Sequence, residues 1–142
     1  MSSTTRRLYD ALLNADNLDM YLDKNAEHMD GGAALSEFLE EKLGQSGLTR
    51  AELFMRSGLN PSYGYQLLSG LRSPARDTAI QLALGLALDV DDTQRLLRAA
   101  KLGALYPRDR RDSVILFAIT NGFTLPQTNE LLFSHSMSTL SR

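Results

Sequence analysis

Two helix signals set back to back constrain this chain more than anything else in it. Residues 49–70 read TRAELFMRSGLNPSYGYQLLSG. Thr49 with Glu52 three residues on is a capping box, which starts a helix. Ser57-Gly58 stops that helix, because glycine takes the left-handed conformation that ends a helix at little cost. Asn60 is then a good N-cap, and Pro61 is the residue preferred at the first helical position. Ser69-Gly70 ends the second helix. Helices this short are marginal alone in water, so both must be braced by the rest of the chain.

The rest also reads as helix. Leu8, Leu12 and Leu13 recur at helical spacing near the N-terminus, and Leu18, Tyr21 and Leu22 continue an acidic stretch. Asp30-Gly31-Gly32 is the best internal break. The next helix places Leu35, Phe38, Leu39 and Leu43 on one face, and Gly44 or Gly47 ends it. After Ser73-Pro74, RDTAIQLALGLAL is apolar nearly all round and reads as the central core helix. Asp91 or Asp92 caps the helix after it, with Leu96, Leu97 and Ala100 inward. Pro107 breaks the chain again. DSVILFAITNG follows as an apolar helix ended by Gly122. Thr124, with Pro126 in the first turn and Gln127 completing a second capping box, starts the last helix. The Ser- and Thr-rich end from Ser134 reads as frayed. The two capping-box helices hint at a degenerate internal repeat. The fold class is therefore all-α, with an acidic arm over 1–32, a core domain over 33–104 and a helical extension for packing or dimerisation over 105–142.

Chemistry is mostly excluded. The chain of 142 residues has no cysteine, which removes disulfides and thiol catalysis and suits a reducing cytoplasm. No apolar run approaches the roughly 20 residues that span a bilayer. The start of the chain lacks the apolar segment of a secretory signal. His28 and His135 stand far apart without ligand spacing, and no phosphate-binding glycine loop or catalytic motif is present. The expectation is a protein that is not an enzyme, with no catalytic residues, no cofactor and no metal. The net charge is −2, but its distribution is uneven. Residues 1–49 balance to −5 and residues 50–111 to +4. The basic cluster Arg108, Arg110 and Arg111, beside Asp109 and Asp112, reads either as a second phosphate patch or as a connection that pins the C-terminal helices by ion pairs, and the second is the preferred expectation.

Two short helices joined by a tight glycine-containing turn form a helix-turn-helix unit. Gly58 suits the turn, Leu53 and Leu59 its buried positions, and Leu67 the buried side of the second helix. Phe54 and Gly64 read as a paired exchange: a large ring on the first helix fills a vacancy on the second.

Residues 34–101 resemble the Cro/C1-type (XRE, lambda-repressor-like) helix-turn-helix family. The resemblance rests on Leu48-Thr49-Arg50-Ala51-Glu52-Leu53, Gly58-Leu59-Asn60, Ser62-Tyr63, Leu67, Gly70 and Arg72-Ser73-Pro74, followed by the apolar helix from Thr78. Phe54, Pro61 and Gly64 depart from the family pattern. The resemblance implies a five-helix lambda-repressor-like domain, here with extra N- and C-terminal helices, whose third helix enters the DNA major groove. It implies a sequence-specific transcriptional regulator that binds double-stranded DNA as a homodimer. Ser62, Tyr65, Gln66 and Ser69 would face base edges, with Gln66 able to pair bidentately with adenine. Arg50, Asn60, Arg72 and Arg76 would hold phosphates. The competing expectation is a protein-interaction adaptor or antitoxin-like partner protein on the same scaffold, with the flanking helices binding a protein; the acidic pI of about 5.6 supports it. Arg72 paired with Asp77 is the corresponding structural reading of that arginine.

Overall fold

The computed structural model describes residues 3–14, 18 and 32–141. The acidic continuation through Tyr21 and Leu22, the break at Asp30-Gly31 and His28 lie outside the described residues. Among those described the chain is all-helical: α1 Ser3–Leu13, α2 Gly32–Ser46, α3 Arg50–Ser57, α4 Pro61–Ser69, α5 Arg76–Gly85, α6 Val90–Ala99, α7 Arg110–Thr120 and α8 Leu125–Ser134. No described helix is long and apolar enough to cross a membrane.

The stops and starts follow from the caps. The Thr49 hydroxyl accepts the Glu52 N–H at 3.1 Å, and the Glu52 carboxylate accepts the Thr49 N–H at 3.1 Å. Thr124 and Gln127 repeat the arrangement at the start of α8. Asn60 accepts the Ser62 N–H at 2.9 Å, with Pro61 at the first position of α4. Gly58 and Gly70 end α3 and α4 in the left-handed conformation. The cap of α6 is Asp89, which accepts the Asp92 N–H at 2.8 Å, and not Asp91 or Asp92 as the sequence pattern indicated. The helix begins at Val90, and Asp91 and Asp92 fall in its first turn, where their charge complements the helix dipole.

α5 lies at the centre, packed by α3, α6 and α8, while α2 packs on α4 and α6. Its residues Ala79 to Gly85 are all buried. One hydrophobic cluster runs from Leu35 on α2 through Leu53, Phe54, Leu67, Ile80 and Leu97 to Ile115, Leu132 and Leu140. The C-terminal helices therefore share the core of the middle ones. α3 approaches α5 closely at Gly85, where an added Cβ would strike the Ser57 hydroxyl. The Gln81 amide donates to the Ser57 carbonyl at 2.9 Å across the same contact.

A repeat runs through the second half of the chain, at a constant offset of 35 residues from Arg76–Leu105 to Arg111–Leu140. It pairs the α5–α6 hairpin with the α7–α8 hairpin, rather than the Thr49 helix with the Thr124 helix. The match extends to detail. Ala87 and Gly122 both take positive φ, as do Lys101 and Ser136. The Thr93 and Thr128 hydroxyls bond back to the carbonyls of their capping residues, Asp89 and Thr124. The Leu105 N–H donates to the Gln94 side chain at 2.8 Å, and the Leu140 N–H to Asn129 at 2.8 Å.

The hairpins are clamped by a reciprocal pair of ion pairs. Arg76 forks onto Asp112 at 2.9 and 2.8 Å, and Arg111 forks onto Asp77 at 2.9 and 3.0 Å. Arg76 also donates to the carbonyls of Gly103 and Ala104, and Arg111 to those of Ser138 and Thr139. Each arginine thus staples the tail of its own hairpin while gripping the aspartate of the other. Such exchange is what a two-fold relation produces. The expectation that residues 108–112 pin the C-terminal helices describes Arg111 and Asp112. The frayed tail is corrected: Leu140 is buried, and residues 138–141 are held by Arg111 and Asn129.

Candidate nucleic-acid interface

α4 divides into two sides. Gly64, Leu67 and Leu68 are buried, while Ser62, Tyr65 and Ser69 are exposed and Gln66 is half-buried. Positions 62, 65, 66 and 69 share one face at helical spacing. The residues named from the sequence as base readers therefore stand together on the open side of one short helix.

That helix is held by an exchange of volume with α3. A Cβ built on Gly64 would lie 2.8 Å from Phe54 Cζ and closer still to Cδ1 and Cε1. The Phe54 ring, itself fully buried, occupies the space that a side chain at position 64 would take. Tyr65 packs edge-on to the same ring, with centroids 5.1 Å apart and planes at 75°. One face of Tyr65 is thereby fixed, while 52 % of the residue stays exposed. A ring held this way presents its hydroxyl at little further entropic cost.

Among the described residues the Gln66 side-chain amide and the Tyr65 hydroxyl take part in no hydrogen bond, and both groups are open to a ligand. The Gln66 carbonyl accepts the Arg72 N–H at 3.2 Å and the Ser69 hydroxyl at 3.2 Å, which ties the end of α4 to the following loop. Arg72 is exposed there, and its guanidinium has no ion pair among the described residues. Leu71 beside it is exposed too. Sequence reasoning did not single it out, and its apolar character gives no signal for exposure.

The four residues named for phosphate contact fare differently. Arg50 pairs with Glu40 at 2.8 Å, with both side chains about half exposed. It lines an open cleft with Glu40, Thr49, Ala51 and Tyr65, so the structure brings Arg50 and Tyr65 to one wall. Asn60 spends its side-chain oxygen on the α4 cap. Arg72 is free in the sense above, and Asp77, its suggested partner, is taken by Arg111. Arg76 belongs to the clamp: its donors go to Asp112 and the Gly103 and Ala104 carbonyls, so it is a fold residue rather than an open phosphate ligand. The Asp112 carboxylate beside it raises its pKa further. Burial opposes ionisation of Asp112, but the hydrogen bonds from Arg76 and the Tyr106 N–H, with the charges of Arg76 and Arg111, hold its carboxyl below the usual range.

On the chemistry of its side chains, this surface fits hydrogen-bonding recognition. No protein-family model, curated protein or solved structure matches the chain.

Proposed function

We propose that this chain is a sequence-specific duplex-DNA-binding regulator that lays α4 in the major groove and acts as a homodimer. The observation that carries the reading is the open face of α4. It joins an unpaired amide on Gln66 to an aromatic hydroxyl and two serines, and the unpaired Arg72 guanidinium follows at its end. The reading takes α2 to α6 as the five helices that the resemblance to Cro/C1-type proteins implies, with α3 and α4 as the second and third, and the count of helices over 32–99 supports it. An exposed ion pair contributes only about 0–1 kcal/mol, so Arg50 exchanges Glu40 for a phosphate at small cost. The α4 residues serve binding and none of them catalysis. The reading keeps the cytoplasmic location expected from the sequence.

A second reading keeps the scaffold and replaces DNA by a protein partner. It is favoured by the loss of Arg76 from the contact set, which leaves fewer cations around α4 than the sequence offers. Selection from a random duplex library separates the two. The DNA reading expects one enriched motif with two-fold symmetry, and loss of enrichment in Gln66→Ala with Arg72→Glu. An unenriched pool favours the protein partner.

A further inference from the structure

The repeat sorts the surface of the two hairpins into positions buried in both and positions buried in one. Ile80 and Ile115, Thr93 and Thr128, and Leu97 and Leu132 are fully buried in both. These form the hairpin interiors and the seam between them. In the first hairpin, α3 further covers α5 and α2 covers α6. Ala79, Leu82 and Leu96 have no exposure there. Their counterparts in the second hairpin are Val114, Phe117 and Leu131. All three remain apolar, yet Phe117 is 55 % exposed and Val114 and Leu131 are only half-buried. Leu116 also replaces Gln81, the residue that bonds α3 in the first hairpin. The second hairpin therefore keeps an apolar face of the kind that a helix pair covers in the first, and no helix among the described residues covers it.

A second unpartnered face lies on α1. Tyr9, Leu12 and Leu13 sit at i, i+3 and i+4 and are 59, 45 and 68 % exposed. A helix of 11 residues is marginal in water without a surface to pack on. Among the described residues both faces stay open, and a second copy of the chain offers each face the apolar partner it needs.

We propose that α1 of one copy packs its Tyr9, Leu12 and Leu13 face onto Val114, Phe117 and Leu131 of a second copy. Two such contacts, exchanged reciprocally, make the dimer. α1 then does for the second hairpin what α2 and α3 do for the first. The proposal specifies the dimer of the DNA-binding reading, but its test needs no DNA: crosslinks that place the dimer contact elsewhere sink the proposal and leave that reading standing.

The natural chain has no cysteine, which gives a clean test. Full-length chains carrying Leu12→Cys alone and Phe117→Cys alone are mixed and oxidised, and sedimentation gives the oligomeric state of the unmodified protein. The proposal expects a dimer and a disulfide that joins one variant to the other in excess of either self-pair. It expects Leu12→Glu and Phe117→Glu each to weaken association by about tenfold or more, with helix content by circular dichroism falling by no more than the share of α1. A monomeric wild type overturns it. So does predominant Phe117→Cys self-pairing, or a Leu12→Cys/Phe117→Cys double variant that crosslinks within one chain at high dilution.

Discussion

The exchange between Phe54 and Gly64 makes a quantitative prediction. Phe54 is 1 % exposed, and truncating a buried phenylalanine to alanine costs about 3–5 kcal/mol. Any side chain at position 64 meets the ring, whose nearest carbons lie under 3.0 Å from the added Cβ. Overpacking of this kind costs about 1–3 kcal/mol, offset by the roughly 0.5–1 kcal/mol gained when a helical glycine is replaced. Gly64→Leu alone should then lose about 1–2 kcal/mol, and Phe54→Ala alone about 3–5 kcal/mol. Combined, the leucine enters the space the ring vacates. The double variant should be about 2 kcal/mol or more better than the sum of the singles, a coupling expected only between contacting residues. Urea titration followed by circular dichroism at the helix band measures all four proteins. Additive losses would show that the ring and the glycine do not share one volume, and the account of how α3 holds α4 would be wrong.

Other consequences are as direct. Asp112→Asn strips the partly buried Arg76 of its counter-charge and should cost about 3 kcal/mol by chemical denaturation, as loss of one partner of a buried pair does. Because the Asp112 carboxyl is held below its ordinary value, its stabilisation is complete above the unfolded value of about 3.9. That stabilisation is lost as pH falls through the lower folded value, so acid titration of Asp112→Asn should show a shallower fall than wild type. Gly58→Ala places a Cβ 2.9 Å from Leu125 Cδ2 at a φ of +65° and should lower stability by about 1–2 kcal/mol. Arg72→Ala should reduce the slope of log affinity against log salt for duplex DNA by about 1, while Gln66→Ala should leave the slope and relax sequence preference.

The local signals were legible and the distant partnerships were not. Thr49, Gly58, Asn60, Pro61, Gly70 and Thr124 act through neighbours within four residues, and the caps stand where the sequence sets them. The Phe54–Gly64 exchange was legible because a glycine inside a helix asks for a packing reason. The engagement of Arg76 was not legible because its partner lies 36 residues away, and an arginine just after a helix-turn-helix unit reads equally well as a phosphate ligand. The tail misled through composition: serines and threonines signal solvent, but it is the carbonyls of Ser138 and Thr139 that Arg111 holds. The repeat escaped notice because Asp89 and Thr124 cap with different side chains and Ala87 stands opposite Gly122. Two Thr-led capping boxes supplied a stronger but less informative match. The Arg-Asp pairs at 76–77 and 111–112 were the signal that would have revealed it.

The most direct test of the central claim is the affinity of the purified protein for duplex DNA at several salt concentrations, with Arg72→Glu as the comparison. The account predicts an affinity that falls linearly on logarithmic axes with a steep slope, as phosphate-bound counterions are released, and a weaker, shallower line for the variant. An affinity too weak to measure at low salt, or one indifferent both to salt and to Arg72→Glu, would contradict the placement of α4 on DNA.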